Sequence, residues 1–247
     1  MKRILILGGT GDAANLAASV SNLQNIEVIT SLAGRTGQPA MPQGTTRVGG
    51  FGGTSGLAVY LREHQIDALI DATHPFAAQI SWNASVAAHE TGIPHLMLIR
   101  PAWEKSPKDL WIEVDSVEAA ATNLPVLAKR VFLTIGRQQL APFALLQGIW
   151  FLMRSIEPPA SDLVVPNGEI LVNRGPFSIQ VEERLIQDYK IDAIVSKNSG
   201  GDATYAKIIA AQTLGIPIVM VQRPAMPLGD TVGDIENAMI WLMQTLF

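Results

Sequence analysis

The decapeptide GIPHLMLIRP at residues 92–101 returns as GIPIVMVQRP at residues 215–224, with six of ten positions identical. Neighbouring landmarks repeat in the same order. IDALID (66–71) precedes the first copy and IDAIVS (191–196) the second. RVGGFGG (47–53) is answered by LVNRGPF (171–177), and KRILILGG (2–9) by KRVFLTIG (129–136). Any two strand–helix units can share one such likeness. Four in order, at an offset near 125, point to two similar halves. Between each IDA run and each phrase lies a helical stretch, AAQISWNASVAAHETG in one half and ATYAKIIAAQTLG in the other. Strand, turn, helix and strand in that order make a right-handed βαβ unit of a parallel sheet.

The pattern predicts first-half strands at 2–7, 26–31, 45–48, 67–71 and 95–100, with WIEV (111–114) as a sixth. Second-half strands fall at 130–135, 149–154, 169–173, 192–196 and 217–222, and a closing helix covers about 232–246. Apolar residues make up 48% of the chain and charged residues only 16%, which suits strands buried on both faces. The expected fold class is α/β, with two Rossmann-like parallel-sheet domains and a ligand cleft between them. The boundary is expected near 115–128, giving a dinucleotide-binding domain at 1–122 and a substrate-binding domain at 123–247. An exchange of strands between the halves stays open.

Ligands of open α/β sheets bind beyond the carboxyl ends of the strands, so the turns there carry the functional reading. The first is GGTGDAANLA, a GxxGxxA variant with Gly8, Gly9, Thr10, Gly11 and Asp12 at the mouth of a helix. Glycines there let a backbone approach a pyrophosphate, and the helix start offers N–H groups and a positive dipole end. The second strand ends in Ser31, followed by Gly34, Arg35 and Thr36. An NADH site expects Asp or Glu there. A hydroxyl and a guanidinium suit a 2′-phosphate, which points to NADPH with NADH as the alternative. The bland alternative for Arg35 is a solvated loop residue. The third turn, GGFGGTSG, places Gly50, Phe51 and Gly52 in a run with five glycines in eight positions. The fourth, DATHPFA, puts Thr73 and His74 at a strand end. His74 is a candidate polar group for the chemistry or a turn-forming histidine.

The matching second-half turns lack that glycine pattern and carry cations: Arg137 and Gln138 in TIGRQ, Arg154 in MRSI, Arg174 in NRGPF and Lys197 in SKNSGG. Single arginines commonly pair with local carboxylates. Four cations at corresponding places in a chain of net charge −4 favour an anionic ligand, a polycarboxylate or a phosphate. Asn198, Ser199, Gly200 and Gly201 follow Lys197 and form an anion-accepting nest before a helix. One half thus faces a dinucleotide and the other an anionic substrate, as in a pyridine-nucleotide reductase. Two rival readings remain: an NADPH-dependent reductase of another polycarboxylate, and a redox sensor that holds NADP(H) without turnover.

Several classes are excluded. The chain has no cysteine, hence no disulfide, thiolate metal site or thiol nucleophile. Four unclustered histidines argue against a metal site. No G-x-x-x-x-G-K-[ST], G-x-S-x-G or H-E-x-x-H occurs, and no Tyr precedes a Lys by four. The acidic net charge offers no field for nucleic acid or an anionic membrane. No run approaches about 20 apolar residues, and the short ILIL run does not make a signal core, so a cytoplasmic protein is expected.

ILILGGTGDA, SLAGRTGQP, RVGGFGG, DATHPFAAQIS, TIGRQ, NRGPF and VSKNSGG followed by TYAKIIAA, taken together and in order, resemble the precorrin-6A reductase family of cobalamin biosynthesis. The resemblance runs from Met1 to about Pro224. It implies a pair of Rossmann-like domains and hydride transfer from a reduced nicotinamide cofactor to a ring double bond of a corrin precursor, giving precorrin-6B. It also implies that Gly8, Thr10, Gly11, Ser31, Arg35 and Thr36 line the cofactor. Arg137, Lys197, Asn198, Ser199 and Gly200 would then approach the anionic macrocycle. Lys197 is preferred to His74 as the catalytic group. Whether the macrocycle holds cobalt is open at this stage.

Overall fold

The structure, a computed structural model, describes residues 1–34 and 42–247. The chain runs β1 (Lys2–Leu7), α1 (Gly11–Ser21), β2 (Ile26–Leu32), β3 (Thr45–Val48), α2 (Gly53–Glu63), β4 (Ala68–Asp71), α3 (Ala78–Thr91) and β5 (His95–Leu98). It continues through β6 (Trp111–Val114), α4 (Val117–Leu127), β7 (Arg130–Thr134), a short helix α5 (Ala141–Ala144), β8 (Trp150–Ser155) and β9 (Gly168–Val172). Then follow α6 (Ile179–Asp188), β10 (Ala193–Lys197), α7 (Ala206–Leu214), β11 (Ile218–Val221), β12 (Asp230–Val232) and α8 (Ile235–Leu246).

Strand periodicity explains the layers. Side chains of β1 alternate, so Ile4 and Ile6 enter one apolar cluster and Leu5 and Leu7 another. A strand that is apolar on both sides needs helices on both sides. On one face, Leu16, Ala17 and Val20 of α1 and Ala238 and Leu242 of α8 cover the sheet. On the other, Leu57 and Leu61 of α2 and Ala84 and Ala87 of α3 do so. The second sheet repeats the scheme, with Phe132, Leu152, Ile194 and Met220 packed under Ile186 of α6 and Ile208 and Ala211 of α7. Among the described residues, no helix is long and apolar enough to cross a membrane.

Among the described residues both sheets have six strands, in the orders β12-β5-β4-β1-β2-β3 and β6-β11-β10-β7-β8-β9, and the pairings are parallel. The repeated decapeptide encodes the same events in each half. Gly92 and Gly215 end α3 and α7 in the left-handed region, with φ of 69° and 66°. Pro94 and Pro217 then stop any helical continuation. β5 and β11 follow, and the final Arg-Pro marks where the chain changes unit. One compact unit is Met1–Pro101 with Pro224–Phe247; the other is Ala102–Arg223.

The expected cut between residues 122 and 123 is therefore corrected. WIEV is a strand, but β6 pairs with β11, placing Trp111 beside Ile218. In return β12 pairs with β5, placing Asp230 beside Leu96. Each sheet takes its sixth strand and following helix from the chain stretch that succeeds the other sheet's fifth strand. Burial decides the exchange: Trp111 joins the second unit's apolar cluster, while Ala238 and Leu242 close the first unit's α1 face. β12 escaped sequence reading because Asp-Thr-Val has no apolar run. The closing helix starts at Ile235, after Asp234 caps it by accepting from the Asn237 N–H at 2.8 Å.

A chain ended at residue 223 is expected to lose exchange protection at Ile4–Leu7 and Leu16–Val20, because α8 no longer covers them, while Arg130–Thr134 and Ala193–Lys197 stay protected. Hydrogen exchange read by mass spectrometry checks this; retained protection of β1 would contradict the exchange.

Candidate active site

In the first unit, strand order reverses between β1 and β4; in the second, it reverses between β7 and β10. Such switch points leave a crevice at the carboxyl ends of the strands. The turn after β1 is built for close approach. Gly9 sits at φ 107°, and nothing lies within 4 Å of where its Cβ would be. The Gly8 N–H donates to the Ser31 carbonyl at 2.9 Å, tying the turn to the end of β2. The Thr10 hydroxyl accepts from the Ala13 N–H at 3.0 Å and donates to the Ala72 carbonyl at 2.7 Å. It therefore caps α1 and joins that helix to the turn after β4. The first N–H groups of α1 have no partner within the helix, which suits a pyrophosphate. An open glycine and a free helix start fit a dinucleotide.

Asp12 carries a different role from the one its position suggested. Its Oδ2 accepts from Arg100 Nη1 at 2.8 Å, so the carboxylate binds the arginine of the repeated phrase. After β2, Gly34 has φ 73°, while Arg35 and Thr36 lie outside the described residues. Arg47, on β3, donates from Nη1 to Ser31 Oγ at 2.6 Å and to the Gly49 carbonyl at 3.0 Å. Its Nη2 donates to the Gly50 carbonyl at 3.0 Å, and its guanidinium lies 3.9 Å from the centre of the Phe51 ring. Gly52 caps α2 at φ 79°. At Gly56 a Cβ would meet the Phe51 carbonyl oxygen at 1.7 Å, so the turn packs directly on its helix.

After β4, Thr73 donates from N and Oγ1 to Asp71 Oδ1, at 3.0 and 2.6 Å. Asp71 is buried and its Oδ2 has no partner among the described residues. His74 Nδ1 accepts from the Phe76 N–H at 3.2 Å, and the His74 carbonyl accepts from Ala77 N–H at 2.7 Å. The ring braces its own turn through Nδ1, the turn-forming alternative raised above.

In the second unit, Lys197 is the last residue of β10, beside the switch point. The turn that follows is held from behind. The Asn198 side chain is buried and fully engaged by Trp103: Oδ1 accepts from Trp103 N–H at 2.8 Å and Nδ2 donates to the Trp103 carbonyl at 3.1 Å. Trp103 Nε1 donates to the Gly201 carbonyl at 2.8 Å. Arg223 donates from Nε to the Asn198 carbonyl at 2.9 Å and from Nη2 to the Ser199 carbonyl at 3.0 Å. Carbonyls of residues 198, 199 and 201 are thus tied down, and Gly200 and Gly201 hold φ of 70° and 73°. Asn198 is a brace for the turn, which corrects its direct assignment to substrate.

The other cations divide by burial. Arg137 and Gln138 lie in the turn after β7, where Arg137 Nη2 pairs with Glu157 Oε2 at 3.2 Å and both groups are partly exposed. Arg174 is exposed. Arg154 is the second correction. Its guanidinium meets the fully buried Glu182 through two hydrogen bonds, at 2.6 and 3.1 Å, and lies 3.9 Å from the Phe177 ring centre. A cation so enclosed holds the core together. Lys207, on α7, is buried close by, donates to the Thr204 carbonyl at 3.0 Å and lies 4.7 Å from the centre of the Trp103 indole. Burial brings the Lys207 ammonium down to about 7, with Glu182 opposing the shift and Arg154 adding to it.

With that geometry in view, comparison with known proteins is decisive. The model of the precorrin-6x reductase CbiJ/CobK family matches residues 3–243. The chain belongs to that family. It is 49% identical over 244 residues to the precorrin-6A reductase of Rhodococcus erythropolis, covering 98% of each. It is 41% identical to the precorrin-6A reductase of Rhodobacter capsulatus, over 98% of this chain and 96% of that one. Among solved structures, CobK precorrin-6A reductase superposes with a TM-score of 0.93 at 40% identity, covering 100% of this chain and 98% of that one.

For this CbiJ/CobK member, sequence reasoning missed Arg47, Asp71, Arg100, Trp103 and Arg223. Arg100 and Arg223 had a signal in plain view, since both copies of the phrase keep Arg-Pro. Trp103 had none, because its partner Asn198 is 95 residues away.

Two outcomes test the buried network. Arg154→Met leaves the Glu182 charge unpaired and is expected to lower unfolding free energy by about 3–5 kcal/mol in denaturant titrations. Lys207 has a folded value below its unfolded one, so the unfolded chain holds more protons between pH 7 and about 10.5. Stability should rise with pH across that window, and Lys207→Met should flatten the rise, which is on the order of 5 kcal/mol in full. Melts from pH 6 to pH 10 measure it; an unchanged slope would place Lys207 in contact with water.

Proposed function

We propose that this protein is a precorrin-6A reductase, which reduces one ring double bond of a corrin precursor in cobalamin biosynthesis with hydride from a reduced nicotinamide cofactor. The observation that carries this reading is full-length kinship with precorrin-6A reductases, 49% identity over 98% of both chains in the Rhodococcus erythropolis case. The two switch points support it. One offers bare backbone and a helix start; the other offers a cation and a glycine-containing turn.

The bound cofactor supplies a hydride from C4 of its nicotinamide. The chain's own residues do the rest. Main-chain N–H groups of Gly9, Gly11 and Asp12 receive the pyrophosphate, while Gly8, tied to the Ser31 carbonyl, and Thr10 fix the turn that presents them. Gly34, Gly50, Phe51, Gly52 and Thr73 line the same side. Ser31 faces the adenosine ribose, and the sequence supplies a guanidinium and a hydroxyl soon after it in Arg35 and Thr36, a composition that favours NADPH over NADH. Ser199, Gly200 and Gly201 receive a carboxylate arm, with Arg137, Gln138 and Arg174 adding hydrogen bonds and positive charge. Hydride addition delivers negative charge to the conjugated ring nitrogens. The Lys197 ammonium stabilises that charge and can give a proton. Asn198 and Trp103 hold the turn so that this placement costs little entropy on binding.

Relatives named precorrin-6A reductase match at 41–49% identity, whereas a cobalt-precorrin-6A reductase of Methanothermobacter thermautotrophicus matches at 30%. The metal-free macrocycle is therefore the proposed substrate. Following the reduced-nicotinamide absorbance with metal-free and cobalt-loaded precorrin-6A side by side tests both points. Oxidation is expected to be faster with the metal-free ring. Oxidation with neither ring, but with another polycarboxylate, would replace the reading, and cofactor binding without any oxidation would indicate a sensor. Lys197→Ala is expected to lower kcat roughly 100-fold while leaving NADPH affinity unchanged; unchanged kcat would remove Lys197 from the chemistry.

A further inference from the structure

We infer that Arg47 is the side chain that distinguishes NADPH from NADH, by meeting the 2′-phosphate together with Ser31. This inference rests on the nicotinamide-cofactor reading above and adds to it a residue on β3 that the turn after β2 does not contain.

Three observations converge. First, Ser31 stands near the end of β2, where a fold that reads NADH carries a carboxylate toward the ribose 2′-hydroxyl. A carboxylate there would repel a 2′-phosphate; a neutral hydroxyl does not. Second, Arg47 is the direct ladder neighbour of Ser31 and donates to its Oγ at 2.6 Å. Ser31 Oγ therefore acts as the acceptor in that pair, and its single hydrogen is directed away from the guanidinium, as a donor to a further acceptor. Third, the guanidinium is locked. The Gly49 and Gly50 carbonyls each accept from it at 3.0 Å, and it lies 3.9 Å from the Phe51 ring centre and 5.2 Å from that of Tyr60.

Charge completes the case. In the same unit Arg3 pairs with Glu27 and Arg100 with Asp12. Arg47 pairs with no carboxylate among the described residues; its partners are a hydroxyl and two carbonyls. A planar cation held without a counter-ion beside a hydroxyl matches a dianionic phosphate, and its fixed rotamer lowers the entropy cost of binding.

The test is direct binding, free of turnover. Isothermal titration gives the affinities of wild type, Arg47→Met and Ser31→Asp for NADP⁺ and NAD⁺, with 2′,5′-ADP and 5′-AMP as probes of the phosphate alone. Met keeps the packing on Phe51 and removes the charge. Arg47→Met is expected to lower the NADP⁺/NAD⁺ affinity ratio roughly 10- to 100-fold, and the 2′,5′-ADP/5′-AMP ratio equally, with NAD⁺ itself changed less than about threefold. Ser31→Asp, which gives Arg47 a counter-ion, is expected to turn the preference toward NAD⁺. Equal loss for both nucleotides in Arg47→Met would mean that the arginine only braces the glycine turn, and would overturn the inference while leaving the cofactor reading intact. Wild type binding neither nucleotide would overturn the cofactor reading, and the inference with it.

Discussion

Parallel strands buried on both faces set the terms for everything else in this molecule. In β1 the alternation of Ile4, Leu5, Ile6 and Leu7 commits each successive side chain to opposite layers, and all four are buried. Helices must then cover both faces of the sheet. Once they do, the faces are closed to ligands. What remains open is the row of turns at the strand carboxyl ends, where glycines and helix starts leave main-chain donors uncommitted. The location of chemistry follows from the packing of the core rather than from any single polar residue.

The exchange of the sixth strand and its helix is the second consequence. Each sheet's last helical layer arrives from beyond the other sheet's fifth strand, so neither unit is completed by one half of the chain alone. The handover points are also bonded to the site. Arg100 ends its copy of the phrase on Asp12 in the first turn of α1, and Arg223 ends its copy on the carbonyls of Asn198 and Ser199. The duplicated Arg-Pro thus fixes, in each unit, a turn at the strand carboxyl ends as well as a change of direction.

Cations at strand ends met different fates for a physical reason. A guanidinium enclosed by Phe132, Phe177 and a buried carboxylate, as Arg154 is, neutralises that carboxylate and belongs to the core. A guanidinium laid on an aromatic face and satisfied by neutral acceptors, as Arg47 is, keeps its positive charge without a carboxylate partner among the described residues. Sequence shows that an arginine follows a strand. It does not show whether a glutamate on a later helix will reach it.

Local rules made much of the fold readable. Periodicity located eleven of the twelve strands among the described residues, glycine and proline marked the helix ends, and duplication revealed two halves. Thr10 and the glycines of the first turn were legible because a turn is built from neighbours in the chain. Long-range choices were not legible. That β6 crosses to the second sheet, that Asp-Thr-Val forms a strand, that Asn198 serves Trp103 and that Arg154 serves Glu182 all depend on competing burial between segments 28 to 134 residues apart. Near-identical βα units leave such competition balanced at the level of sequence pattern. Only the assembled core, by choosing which apolar face each strand and helix covers, decides it.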